Sequence, residues 1–190
     1  MNETPTIAPA GEAGRQETPP QSSADRFARL ALPHLDAAYN LARWLTRSDA
    51  DAADVVQESF LRALRAFGGL RGEDVRPWLL AIVRNTCWSW LQGPRGRNLG
   101  VPYEAEEHDW PDERSDPEVL AMRAQDRARV DEALAALPFA FREVVVLREM
   151  QELSYAEIAR VLGLPVGTVM SRLARARGRL AQLLQAEGSN

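Results

Sequence analysis

The chain has 190 residues, 45% of them hydrophobic, and carries a formal net charge of -4 at pH 7. A negative total charge excludes a protein that coats nucleic acid through bulk electrostatics, so any DNA binding must come from a local basic surface. The single cysteine, Cys87, excludes an intramolecular disulfide, and with only His34 and His108 beside it no metal or cofactor site is predicted.

Helical periodicity dominates two separate blocks, and no stretch shows a sustained period of two, so the predicted fold class is all-α. A tail over residues 1–24 has almost no large apolar side chains and is predicted to be disordered. The first helical block covers 25–92 and the second 119–186. Prolines, glycines and acids fill 93–118, which is predicted to be a flexible acidic linker. We therefore expect two small helical domains on a tether.

A strong helix start occurs at Ser48, whose hydroxyl can cap a helix that has Asp51 in its first turn. One face of this helix is predicted to lie in the core: Val56, Phe60, Ala63, Leu64 and Phe67. The opposite face carries Asp54, Gln57, Glu58 and Leu61. Taken alone, that second face is typical of a solvated surface.

The next helix is predicted to begin at Pro77, a favoured first helical residue. Its polar side includes Arg84, Asn85 and Trp88, so a large aromatic ring is predicted to face solvent beside a cation and an amide. Such a group suits unpaired nucleotides, because a ring or a guanidinium stacks on any base while Asn can read a base edge. The alternative is a tryptophan covered by the preceding loop.

The second block contains a helix-turn-helix pattern. Ser154 and Glu157 form a capping box that opens a short helix, and a tight turn at Gly163 precedes a longer helix from about Val166. The outer face of that last helix is basic, and no acid occurs between Arg160 and Glu187. This favours binding in the DNA major groove, although a basic face could also dock on an acidic protein.

Two long motifs then carry a resemblance to a known family. DAADVVQESFLRALRAF followed by RPWLLAIVRNTCWSWL resembles the second conserved region of extracytoplasmic-function (ECF) sigma factors, of the sigma-70 class. ALPFAFREVVVLREMQELSYAEIARVLGLPVGTVMSRLARARGRL resembles the fourth region of the same family. The order of the two motifs also matches. The resemblance implies a non-enzymatic protein that gives bacterial RNA polymerase its promoter specificity.

The resemblance also implies roles for individual residues. Four residues would dock on the clamp helices of the polymerase core: Asp54, Gln57, Glu58 and Leu61. Three residues, with the loop over 68–76, would capture the melted non-template strand of the minus-ten element: Arg84, Asn85 and Trp88. Seven would contact the double-stranded minus-thirty-five element: Arg148, Tyr155, Thr168, Ser171, Arg172, Arg175 and Arg177. Met170 departs from the family, in which Lys or Arg is common at this position.

Two other functions fit parts of the sequence. A conventional helix-turn-helix regulator would bind its operator without core polymerase, and a helical adaptor would have no DNA role. An enzyme is not predicted, because neither histidine has a partner at useful spacing. No apolar run approaches the roughly 20 residues that cross a bilayer, so a cytoplasmic protein without membrane insertion is predicted. An anti-sigma factor is a further partner that the resemblance implies.

Overall fold

The computed structural model describes residues 23–70, 74–93 and 117–187. The predicted tail and most of the predicted linker lie outside these ranges, so the domain boundaries stay predictions. Within the described ranges all regular structure is helical, which confirms the all-α fold class. No described helix is long and apolar enough to cross a membrane.

The described residues form eight α-helices: α1 Ser23–Ala31, α2 Leu35–Thr46, α3 Asp49–Ala66, α4 Val75–Gln92, α5 Pro117–Ala136, α6 Phe139–Val145, α7 Tyr155–Leu162 and α8 Val166–Glu187. Short 3₁₀ turns, Leu32–His34 and Phe67–Gly69, follow α1 and α3. A π-helical turn, Val146–Met150, continues α6. Such turns widen the helix locally and change the direction of the side chains that follow.

Local chemistry explains several helix ends. The Ser48 hydroxyl accepts a hydrogen bond from the Asp51 amide at 3.2 Å and starts α3 as predicted. Ser154 and Glu157 form the predicted capping box of α7, and Gly163 ends that helix with a φ of 64°, which glycine adopts without strain. Helix α4 begins at Val75, two residues before the predicted start, which places Pro77 in the first turn where its missing N–H breaks no helical bond.

The two helical blocks pack against each other. One apolar core is continuous from α2, α3 and α4 into the second block and includes Leu41, Leu80, Leu147 and Ile158. Helix α4 lies against α7, and α2 lies against α6. A smaller cluster holds α1 against α3 and α4, around Phe27. The sequence analysis did not predict this shared core, which joins residues of both helical blocks.

Cys87 and Leu64 show where the core ends. Cys87 is fully buried, and burial raises the pKa of its thiol to about 12. The core position predicted for Leu64 is wrong, because 42% of this side chain is exposed. Leu64 lies one helical turn after Leu61, which is 44% exposed. The two leucines therefore form an apolar patch on the surface of α3.

Candidate functional site

The first candidate surface is an open groove of about 680 Å³ between α3 and α4. All four residues predicted from α3 line it: Asp54, Gln57, Glu58 and Leu61. Helix α4 supplies Thr86, Ser89 and Trp90 to the opposite wall. Glu58 accepts a hydrogen bond from Arg62 at 2.7 Å, on the solvent side of the helix. The groove thus combines an apolar floor with an acidic rim.

Leu64 does not line the groove, but it is exposed on α3 one helical turn after the lining residue Leu61. Exposed leucines beside acids favour a partner helix that is apolar and basic, since such a helix lays its apolar face in a hydrophobic groove.

The second surface lies on α4 around Trp88. This side chain is 43% exposed, and its ring packs at 5.0 Å, centroid to centroid, on Phe139 of the second block. The Arg84 guanidinium lies over the Trp88 ring and donates to the Asn85 side chain at 3.1 Å. The three predicted residues therefore form one cluster. Among the described residues, Phe139 of the second block packs against the Trp88 ring.

The structure describes only part of the loop over 68–76 that was predicted to accompany this cluster. Residues 71–73 lie outside the described ranges. Arg76 donates to the backbone carbonyl of Gln151 at 2.7 Å, and Asp74 accepts from Arg160 at 2.7 Å. Asp74 and Arg76, at the end of the loop and the start of α4, are therefore bonded to the second block.

The third surface is the outer face of α8. Thr168, Ser171 and Arg175 are exposed, and the exposed Met170 lies beside them. Arg175 has no hydrogen-bond or ion-pair partner within the described part of the chain. On the inner side Val169, Leu173 and Ala176 are buried. The Ser171 hydroxyl donates to the Thr168 carbonyl at 3.1 Å. The Thr168 hydroxyl and the Arg175 guanidinium are suitable donors for phosphates and base edges.

The remaining predicted contacts of this surface already have partners. Arg148 donates to the Leu153 carbonyl at 2.7 Å and lies 5.0 Å over the Tyr155 ring. Arg177 donates to the Glu149 carboxylate, a contact that raises the pKa of Arg177. Arg148 and Tyr155 thus brace the turn between α6 and α7, and Tyr155 also lies near Arg177 of α8.

Arg172 is engaged by a residue that the sequence analysis did not single out. The Glu143 carboxylate is 1% exposed and accepts from Arg172 at 3.1 Å and from Arg84 at 2.7 Å. One buried acid therefore joins an arginine of the α4 cluster to an arginine of α8. No local signal identifies such a link, because its three members are far apart in sequence.

The side chains on these three surfaces are of the kinds that bind other macromolecules. Within the described residues no group of His, Cys, Asp or Glu is placed to hold a metal ion. The described site holds stacking rings, guanidinium groups and an open groove, which suit recognition of a helix and of nucleic acid.

Comparison with known proteins gives consistent matches. The Sigma-70 region 2 family matches residues 30–95, and the Sigma-70, region 4 family matches residues 127–180. The chain is 33% identical to the ECF RNA polymerase sigma factor SigE of Mycolicibacterium smegmatis, across 97% of this chain and 72% of that relative. It is 39% identical to the ECF RNA polymerase sigma-E factor of Salmonella typhimurium, across 71% of this chain and 74% of that relative.

A solved structure shares the fold. The sigma factor RpoE, in complex with the anti-sigma factor NepR from Bartonella quintana, superposes with a TM-score of 0.67 at 28% identity. The superposition covers 84% of this chain and 97% of that chain. The likeness therefore extends over both helical blocks.

Proposed function

The chain belongs to the ECF sigma factors of the sigma-70 family, and on that premise we propose how it assigns promoters to RNA polymerase. Sigma factors of this family are non-enzymatic initiation factors that bind core polymerase and promoter DNA. Here the groove between α3 and α4 docks on the core enzyme, the Trp88 cluster captures melted minus-ten bases, and α8 reads the minus-thirty-five duplex. The protein acts in the cytoplasm, where the polymerase transcribes.

The docking proposal is supported by the chemistry of the groove. Asp54 and Glu58 give it an acidic rim, while Leu61 and Leu64 remain exposed. A helical partner that buries apolar surface here gains about 25 cal/mol for each Å² removed from water. The acidic rim then selects a basic helix and fixes its register. We infer that the clamp helices of the core enzyme occupy this groove.

The minus-ten proposal is supported by the cluster on α4. Trp88 supplies a stacking surface worth about 1–3 kcal/mol per base, and stacking is tolerant of sequence. Asn85 supplies amide donors and acceptors that can read the edge of an unpaired base. Binding energy of this kind stabilises melted DNA that would otherwise restack, so opening the duplex requires no catalytic residue.

The minus-thirty-five proposal is supported by the exposed face of α8. In a helix-turn-helix the second helix enters the major groove with its first turns against the base edges. Thr168, Ser171 and Arg175 lie on that part of α8 and face solvent. Arg172 and Arg177 would join them after leaving their acidic partners. Arg148 and Tyr155 support the turn and lie where a phosphate contact is expected.

The single observation that carries the proposal is the presence of three chemically distinct surfaces on one chain: an apolar groove with an acidic rim, an aromatic and amide cluster, and a hydroxyl and arginine face. A conventional regulator needs only the last of these. An anti-sigma factor is a further proposed partner, because the similar RpoE structure is a complex with one.

Charge-reversal variants test the separate surfaces. Asp54→Arg should abolish binding to core polymerase, whereas Asp36→Arg, exposed on α2 outside the groove, should bind normally. Arg175→Glu should keep polymerase binding and lose about 1–3 kcal/mol of upstream duplex recognition, with Arg29→Glu on α1 as its control. Equal polymerase binding by Asp54→Arg and Asp36→Arg would reject the docking surface.

A further inference from the structure

The N-terminal half of α8 exposes a row of apolar side chains that the proposed function does not use. Val166, Met170 and Ala174 follow one another at intervals of four residues, so they lie along one side of the helix. All three are exposed, and the exposed fraction is 43% for Val166 and 51% for Met170. The donors Thr168 and Arg175 lie on the other side of the same outer face.

This apolar row is not part of the packing of α8 on the rest of the described chain. The helix turns Val169, Leu173 and Ala176 to the core, and these residues lie on a different side from Met170. Apolar side chains that are grouped on a surface mark interaction sites, whereas single ones have no such meaning. The row is therefore a candidate contact surface for a partner.

The charges around the row favour an anionic partner. Arg175, Arg177 and Arg179 are exposed on the same helix, and no acid occurs between Arg160 and Glu187. The edges of the DNA major groove are phosphates, and on the base edges inside it the C5-methyl group of thymine is the apolar group. An apolar row beside arginines matches both kinds of group.

Resting on the proposed function, we propose that Met170 reads a thymine methyl group in the minus-thirty-five element, with Val166 beside it. In a helix-turn-helix the first turns of the second helix lie against the base edges, and both residues belong to the first two turns of α8. Four residues span about 6 Å of helix axis, so thymines that contact both side chains lie within about two base pairs of each other. The unbranched Met170 side chain adapts its shape to such a methyl group.

This contact makes Met170 a specificity-determining residue of the upstream element. Cytosine lacks the C5-methyl group, so apolar readout by Met170 prefers thymine to cytosine at one position of the element. The preference needs no hydrogen bond from the side chain. It therefore adds to the readout by Thr168 and Arg175 without competing for the same donors and acceptors.

Replacement of thymine by deoxyuridine tests the proposal, because it removes the methyl group and keeps the base pair. Run-off transcription on a promoter library first identifies the minus-thirty-five element that the holoenzyme prefers. Each thymine of that element is then replaced in turn on synthetic promoters, and holoenzyme affinity is measured at one salt concentration for the unchanged protein, Met170→Ala and Leu35→Ala. Leu35 is the matched control, because it is 42% exposed at the start of α2 in the other helical block.

We expect one thymine at which deoxyuridine weakens binding of the unchanged holoenzyme about fourfold, the effect of burying one methyl group. Leu35→Ala should show the same loss. In the Met170→Ala holoenzyme the same replacement should change affinity by less than about twofold, because the group that the methyl contacts is gone.

Three results would overturn the proposal: a preferred element without thymine, no loss with deoxyuridine in the unchanged holoenzyme, or an equal loss in Met170→Ala. Each would leave the row to a different partner, such as an acidic protein. Failure of the proposed function has another signature, because the unchanged holoenzyme would then initiate at no promoter of the library, and the present proposal would fall with it.

Discussion

Replacing Arg142 with methionine should strongly destabilise the protein. The Arg142 guanidinium is buried and donates to three carbonyls at the end of α5, those of Leu134, Ala135 and Leu137, at 2.7–3.0 Å. A fourth bond reaches Leu45 of α2. Burial lowers the pKa of Arg142 to about 10, which leaves the group charged at neutral pH. The side chain thus caps one helix and ties it to the other block.

The size of the effect follows from those bonds. Each hydrogen bond to a charged donor contributes about 1.5–3 kcal/mol, and the cost of burying the charge offsets part of the total. Methionine keeps the apolar volume but leaves the α5 carbonyls without their donor. We expect a loss of about 3–5 kcal/mol, because each buried carbonyl left without a donor costs about 1–3 kcal/mol and removal of the buried charge returns part of that cost. For a chain of this length the midpoint of thermal unfolding should fall by roughly 6–20 °C.

Urea and thermal unfolding, followed by circular dichroism, measure this loss. Arg62→Met is the control, because Arg62 is exposed and makes a single pair with Glu58, so its replacement should change stability by less than about 0.5 kcal/mol. A loss below about 1 kcal/mol for Arg142→Met would refute the reasoning, since it would mean that water replaces the guanidinium at the α5 carbonyls.

Three further predictions follow from single sites. Ser154→Ala should lower the free energy of unfolding in urea by about 1 kcal/mol. The Ser154 hydroxyl lowers the pKa of Glu157, so this stabilisation should be full above the ordinary Glu pKa and fade as pH falls through the lowered value. If the variant lost stability at acid pH in the same way as the unmodified protein, that result would contradict the capping box. Cys87 should resist alkylation at pH 8 until urea unfolds the chain, and rapid native labelling would contradict its burial. Met170→Lys, assayed as holoenzyme on a minus-thirty-five duplex, should steepen the salt dependence of binding by about one counterion; an unchanged slope would place Met170 away from the phosphates.

The parts of the fold that depend on residues close together in the sequence could be predicted from it. The start of α3 at Ser48 and the turn at Gly163 follow from side-chain capping and from glycine's tolerance of positive φ. Leu64 was misplaced because periodicity finds an apolar stripe but does not define its edges. At the edge of the stripe the packing of neighbouring helices decides burial, and Leu64 is left exposed.

The candidate site could be predicted only in part, for a related reason. The sequence placed Arg84 and Arg172 on outer helix faces, whereas in the structure only 20% and 25% of these side chains are exposed. It did not predict that Glu143 would hold both, because this ion pair depends on how two distant blocks pack. Charge patterns along one helix contain no information about such an acid on another.

The most direct measurement of the central claim is run-off transcription with purified core polymerase, with and without this chain, on a library of promoter sequences. The account predicts initiation from a defined subset of promoters only when both are present, and no sequence-specific operator binding by the chain alone. Tight, specific binding of duplex DNA by the chain alone, without any initiation when core polymerase is added, would contradict it and favour a conventional regulator.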